Sequence, residues 1–376
     1  MNKREVNEIK KNFSDDNGLF TINQVVSAFI SSDKQVKFKS NRFYPLIEQD
    51  EAECLMTTLK KVLSGTVGKN LLEYPFPNEM YEEEGSQYVL YNAMKTRLKE
   101  EKEVDAVIER IVNGYSNPST YAIFLASCTY TVKTKNKLGE KTEKAEYDYN
   151  FIICALCDVE IREEGLVYDD QTNTIIRKPS SDRVVSKIPT NGFLYPAFND
   201  RGSDINRVMF YTKAPKKPNI SVVTDVLGCE FVFSPKDEAD TFQDILTNVV
   251  ADELDYNVIT EVNRKVQAVV DENTEDTEIP VIDDIKLRDI LIDAGVSDEK
   301  LENLQTVYET MAGGRPLTAI NCVSNKTVFQ LPSVTVNITK EGVNKVHTRT
   351  IDGVSSLVID IDDPSVIING LPATVK

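Results

Sequence analysis

The sequence predicts an α+β protein in four parts. These are a mixed N-terminal helical unit carrying a hairpin (1–115), a central, mostly antiparallel β-sheet domain (116–233), an acidic helical segment (234–315) and a small C-terminal β unit (316–376). Three observations lead there. The densest aromatic and β-branched stretches lie between Tyr147 and Lys213, opening with YDYNFIICALCDVEI, and such residues favour strands. Residues 235–312 hold 21 acidic and 6 basic residues, on apolar repeats of helical period. From 317 onward, short β-rich segments alternate with turn residues.

Taken in order, Val6, Ile9 and Phe13 predict an amphipathic helix over 3–13. Residues 14–18 form a turn cluster, and 19–30 with 36–38 read as a hairpin. A helix over 48–63 keeps Leu55, Leu59, Val62 and Leu63 in step, and Gly65 stops it. Further helices are expected over 87–98 and 103–112. Strands over 120–132 and 147–161 flank a charged loop, 133–146. Segments 167–170 and 174–177 suggest a second hairpin, and 183–189, 192–198 and 205–213 continue the sheet. A short helix over 221–227 ends at Gly228. Ser234-Pro235-Lys-Asp237 is a strong helix start, with a Ser cap, Pro first inside and acids in the first turn; that helix should reach about Val250. Others follow over 256–270, 285–293 and 297–311, with an acidic linker at 271–278. The last unit should hold strands over 327–330, 334–339, 344–351, 355–361 and 366–368. Asp352-Gly353 is a favourable two-residue hairpin turn.

Charge is uneven. Residues 1–234 carry 34 acidic and 31 basic residues, and 313–376 carry 5 and 6. The acidic segment should repel duplex phosphates, so nucleic-acid contact would fall to near-neutral stretches such as 133–144 or 207–217. The six cysteines suit a reducing compartment. With no apolar signal core at the N-terminus and no run long enough to span a bilayer, a cytoplasmic location without membrane insertion is expected.

Catalytic constellations are sparse. Gly65-Thr-Val-Gly68-Lys69-Asn70 has two residues between its glycines where a phosphate-binding loop has four, and Asn70 where that loop has Ser or Thr; it reads as a helix cap and turn. Cys154 and Cys157 fall on opposite faces of a strand and cannot share a metal without a bend. In 271–282, Asp276 and Ile282 occupy positions where a calcium loop has Gly and Glu. His347, the only histidine, has no nucleophile beside it in the sequence. The polar insert Asn199-Asp200-Arg201-Gly202-Ser203-Asp204 is the best functional loop. Asn199, Asp200, Arg201 and Asp204 are its candidate binding residues, set against a structural role in which Arg201 pairs with a carboxylate. No cofactor, metal ligand set or catalytic residue is assigned.

Several stretches resemble one bacterial family, domain of unknown function 4317. They are Leu63-Ser-Gly-Thr-Val-Gly-Lys-Asn-Leu-Leu72, Ile153-Cys-Ala-Leu-Cys157, Gly192-Phe-Leu-Tyr-Pro-Ala-Phe-Asn-Asp-Arg201 with Asp204-Ile205, Asp225-Val-Leu-Gly-Cys229 and Thr350-Ile-Asp-Gly353. The resemblance covers nearly the whole chain and brings no activity with it. The chain departs from the pattern at Asp158, where the family carries Pro. In its order of parts the chain also resembles the bacterial nucleoid-associated protein family, through Val226-Leu-Gly228 before Ser234 and Thr335-Val-Asn-Ile338. Two functions follow as expectations. One is a non-enzymatic cytosolic interaction protein, nucleoid-associated by that resemblance, with a protein partner and with nucleic acid reached directly or through a basic protein. The other is a metal-dependent hydrolase or nuclease in which Asp200 and Asp204, or Asp283, Asp284 and Lys286, converge, with Arg201 as the other candidate cation.

Overall fold

The computed structural model describes residues 1–14, 18–135, 141–162, 165–169, 173–178, 182–272, 278–324, 326–361, 366–368 and 371–373. The chain divides into two compact units, Met1–Asp237 with Asn273–Ile279 and Glu238–Glu272 with Pro280–Lys376.

The first unit runs α1 (Lys3–Asn12), β1 (Phe20–Ile30), β2 (Val36–Phe43), α2 (Gln49–Lys61), β3 (Leu71–Pro75), α3 (Ser86–Lys95), α4 (Glu101–Gly114), β4 (Tyr121–Lys135), β5 (Lys141–Arg162), β6 (Gly165–Asp169), β7 (Thr174–Lys178), β8 (Asp182–Val185), β9 (Asn191–Tyr195), β10 (Ala197–Asn199), β11 (Gly202–Asp204) and β12 (Arg207–Thr212). Its main sheet has the order β2-β1-β4-β5-β9-β12-β3, and β8 also pairs with β5. Each of these pairings is antiparallel. Segments 1–115 and 116–233 therefore share one sheet, joined where β1 pairs with β4.

The axis of this sheet is the β4–β5 hairpin, in register from Tyr121↔Asp158 to Val132↔Tyr147. Residues 151–157 of β5 are buried without interruption. An antiparallel sheet with one wet face would alternate buried and exposed side chains; this one is covered on both faces. Helices α3 and α4 and a π-helical turn, Val222–Val226, pack over Ile123, Leu125, Ile152, Cys154 and Leu156. On the other face α1 and α2 pack over Cys128, Tyr130, Phe151, Ile153 and Cys157. Strand parity thus sends Cys154 and Cys157 into different cores. Burial pushes the Cys154 thiol well up and the Cys157 thiol up to about 12, so both stay protonated at neutral pH.

Three features of this unit differ from the sequence reading. β3 was not expected; it is a short edge strand on β12 that ends at Pro75, where the missing N–H costs no ladder bond. Most of the charged segment 133–146 is strand rather than loop, because ladder bonds come from the backbone and do not require apolar side chains. The helix expected at 221–227 is a π-turn, with the Leu227 N–H donating to the Val222 carbonyl. Residues 65–70 form the expected turn: Gly65 and Gly68 have φ of +97° and +81°, and Asn70 Nδ2 donates to the Thr212 carbonyl (3.1 Å).

The second unit contains most of α5 (Pro235–Val250), then α6 (Tyr256–Asp271), β13 (Val281–Ile282), α7 (Asp284–Asp293), α8 (Asp298–Leu301), α9 (Leu304–Ala312), β14 (Leu317–Thr318) and α10 (Ala319–Cys322). Ser234 and Asp237 make the predicted cap reciprocally: Ser234 Oγ accepts from the Asp237 N–H (3.1 Å), and Asp237 Oδ2 from the Ser234 N–H (2.8 Å). Phe242, Ile245, Val249, Val262, Val266, Leu287, Leu291, Leu304 and Tyr308 form the core. The single helix expected over 297–311 is two, broken between Leu301 and Leu304. The expectation that 317 onward is all β also fails at α10, where Ala319 and Asn321 turn into the core as a short helix. The acidic linker and its calcium-like spacing fall largely on 273–277, outside the described residues.

Glu238 ties the start of α5 to β14 and α10. It accepts from Thr318 N (3.2 Å), Thr318 Oγ1 (3.0 Å) and Asn321 Nδ2 (2.6 Å). Desolvation nevertheless outweighs these donors and holds its carboxyl above the ordinary value of 4.5. The folded state then binds this proton more tightly than the unfolded chain. The resulting contribution is present below pH 4.5 and is lost as pH rises through the higher folded value. Denaturant titrations across that window should show Glu238→Gln flattening this loss. In the first unit, a Cβ at Gly192 would lie 2.5 Å from the Cys154 carbonyl oxygen. Gly192→Ala should therefore lower the stability of that unit by about 1–3 kcal/mol, measured by the same titration.

Candidate functional site

The 199–204 insert closes a hairpin between β10 and β11, with Asn199 opposite Gly202. Its two turn residues, Asp200 and Arg201, have φ of +50° and +56°, the sign pattern of a type I′ turn. Asp200 is exposed at the tip. Arg201 turns inward onto α1: its Nε and Nη2 meet Glu8 Oε2 and Oε1 at 3.2 and 3.1 Å, and Nη2 also donates to the Lys133 carbonyl (2.8 Å). Tyr130 OH donates to the same Glu8 (2.8 Å), and Tyr147 OH donates to the Arg201 carbonyl. Asn199 Nδ2 donates to Asp204 Oδ2 (3.0 Å) and Glu73 Oε1 (3.1 Å), while Glu73 also pairs with the N-terminal ammonium and Arg207. Asp204 takes the Asn206 N–H (3.1 Å).

Three of the four candidate residues are thus engaged in contacts that fasten the hairpin to the body of the unit. The partner of Arg201 lies 193 positions away, and the sequence supplied only the expectation of a carboxylate. The Arg201 and Glu8 side chains are 20% and 6% exposed, so removing one leaves the other charged and buried. Arg201→Ala should cost about 3–5 kcal/mol in the unfolding of this unit, and a double-mutant cycle with Glu8→Gln should show strong coupling.

The proposed carboxylate centres do not assemble as metal sites among the described residues, where no three His, Cys, Asp or Glu side chains are grouped to hold an ion. Asp200 and Asp204 belong to the first unit, and Asp283, Asp284 and Lys286 to the second. Asp283 caps α7, accepting from the Lys286 N–H (2.8 Å), while Lys286 Nζ donates to the Val281 carbonyl (3.2 Å). His347 Nε2 lies 3.0 Å from Asp360 Oδ2 on an exposed strand.

The second unit also carries a surface that no single motif announced. After α10 come three successive hairpins: β15 (Lys326–Leu331) with β16 (Val334–Thr339), β17 (Val346–Ile351) with β18 (Val354–Ile359), and β19 (Val366–Ile368) with β20 (Leu371–Ala373). Each is an isolated two-stranded sheet among the described residues. In each, the innermost pair is apolar: Leu331↔Val334, Ile351↔Val354 and Ile368↔Leu371. Leu331, Val334, Ile351, Val354 and Leu371 are all exposed, Val354 at 64% and Leu371 at 69%. In the first unit β6 and β7 form a similar hairpin that exposes Leu166, Tyr168, Ile175 and Ile176. Two-stranded ribbons are marginal in water on their own, and their unpaired edges invite a further strand. The sequence signal was present in the turn-flanking pairs L-PS-V and I-DG-V, but only the structure shows both pairs facing solvent.

Among the described residues, no helix is long and apolar enough to cross a membrane. No curated protein and no solved structure matches the chain significantly. The family model described as "Domain of unknown function (DUF4317)" matches residues 1–371, and the chain belongs to that family.

Proposed function

We propose that this protein is a non-enzymatic cytosolic interaction protein whose partner is a protein docked on the exposed hairpins. The observation that carries this reading is the repeated presentation of apolar pairs at hairpin tips beside open strand edges. A catalyst needs convergent polar groups in a cleft, whereas this surface offers apolar side chains and ladder groups. A partner strand or apolar face could cover both at once. The acidic helices of the same unit favour a partner with basic character around its apolar centre.

Nucleoid association is the finer form of this reading. Direct phosphate contact would draw on Lys213, Lys216 and Lys217, which are exposed, since Arg207 is paired with Glu73 and Asp204. The other candidate stretch, 133–144, falls partly on 136–140, outside the described residues. The alternative route is a basic partner that itself holds DNA. Among the described residues, no convergence of carboxylates supports the hydrolase reading.

Affinity capture from an extract of the source cells tests the main proposal, comparing the natural chain with a Leu331→Lys, Val354→Lys, Leu371→Lys variant. A partner held by the natural chain and lost by the folded variant is expected; equal capture by both would sink the proposal. Fluorescence anisotropy with duplex DNA across a salt series separates the two routes to the nucleoid. Direct contact predicts affinity falling with a log–log slope of about −0.9 per phosphate engaged.

A further inference from the structure

The main sheet of the first unit has two edges, and they are guarded differently. β3 has five residues and ends at Pro75, and a short strand stopped by proline resists further pairing. β2 has eight residues and pairs with β1 alone among the described strands. One guard is present at its start. Phe29 pairs with Phe38 and Ile30 with Val36, so Lys37 is the extra residue of a bulge. Beyond the bulge, residues 38–43 keep an unbroken register with β1. Alternate N–H and C=O groups of that stretch point away from β1.

Charged side chains commonly shield such an edge, but here they are drawn aside. Lys39 Nζ reaches Glu101 Oε1 (3.2 Å) and Asp105 on α4, and Asn41 Nδ2 donates to the Leu98 carbonyl (2.7 Å). Arg42 Nη1 meets Glu51 Oε2 on α2 (2.9 Å). Both cations are thus neutralised within their own chain. Beside them stand Phe38 and Phe43, 56% and 49% exposed. By strand parity Phe38 shares a face with Arg42, and Phe43 shares the other with Lys39 and Asn41. The edge therefore shows one exposed ring on each face.

A strand that pairs with its own copy about a two-fold axis does so antiparallel, and the charges restrict the register. An axis at Lys39 or Arg42 would set like charges opposite each other, which is destabilising. An axis at Ser40 sets Phe38 against Arg42 and Lys39 against Asn41. An axis at Asn41 sets Phe43 against Lys39 and Ser40 against Arg42. Either of these opposes no like charges and places an exposed ring against a cation, a favourable contact. The stretch is in this sense complementary to itself.

We propose that β2 is the interface of a two-fold dimer of this chain, in which residues 38–43 of two copies pair antiparallel and one main sheet continues into the other. A single strand pair is smaller than the ~1,600 Å² of a standard interface, so dissociation is expected in the micromolar range. This surface lies in the first unit and does not depend on the hairpin proposal.

Sedimentation velocity of the full chain, from submicromolar to submillimolar concentration, tests it. The natural chain should pass from monomer to dimer, and β2 amides should exchange with deuterium more slowly in the dimer, a measurement that needs no variant. At least one of Phe38→Lys and Phe43→Lys, both surface changes, should raise the dissociation constant by about 100-fold or more, because two-fold symmetry counts each like-charge contact twice. The stronger of the two places the axis at Ser40 or Asn41. Circular dichroism establishes that both variants are folded. The Leu331→Lys, Val354→Lys, Leu371→Lys variant should dimerise as the natural chain does. A monomer at every concentration would overturn the proposal. So would a dimer whose β2 amides exchange as in the monomer, one that neither phenylalanine substitution weakens, or one lost in the hairpin variant.

Discussion

Burial of the β4–β5 hairpin on both faces is the constraint on which the rest of the first unit depends. A sheet solvated on one side can place polar residues at alternate positions, but the middle of β5 has no such freedom. Residues 151–157 are accordingly Phe, Ile, Ile, Cys, Ala, Leu and Cys, all buried. Helices must then be supplied on both sides, from chain before the hairpin (α1, α2, α3, α4) and after it (Val222–Val226). The N-terminal helices are therefore cover for the sheet, and β1, β2 and β3 extend it.

That constraint also decides where polar chemistry can occur. Polar groups are displaced to the ends of the hairpin, about 30 Å apart along the strand. At one end, Tyr130 and Tyr147 use aromatic bodies for the core and hydroxyls for the Glu8–Arg201 network. At the other, Asn191 donates to Tyr115 OH, and Asn117 and Thr190 donate to Asp158. The two ends are satisfied differently. The Arg201 network matches donors to acceptors within the chain, whereas the buried Asn191 amide oxygen has no donor among the described residues.

The second unit follows a different logic. Its helices pack one apolar core and turn their acids outward, with Glu238 as the exception drawn inside to hold β14 and α10. Its hairpins have no third strand among the described residues and keep apolar tips in solvent.

The sequence by itself determined the α+β class, the order of most elements, the Ser234 cap, the Asp352-Gly353 turn and the opposite faces of Cys154 and Cys157. These features rest on helical or strand periodicity and on turn chemistry, which act over a few residues. It also placed the 199–204 loop and expected a carboxylate for Arg201. Only the tertiary structure decided that this carboxylate is Glu8, that β3 closes the sheet beside β12, and that Asn191 meets Tyr115. Parity tells which face a side chain takes, but not which distant strand becomes its neighbour. That choice depends on long-range register and on which helices cover each face, and no local pattern encodes it.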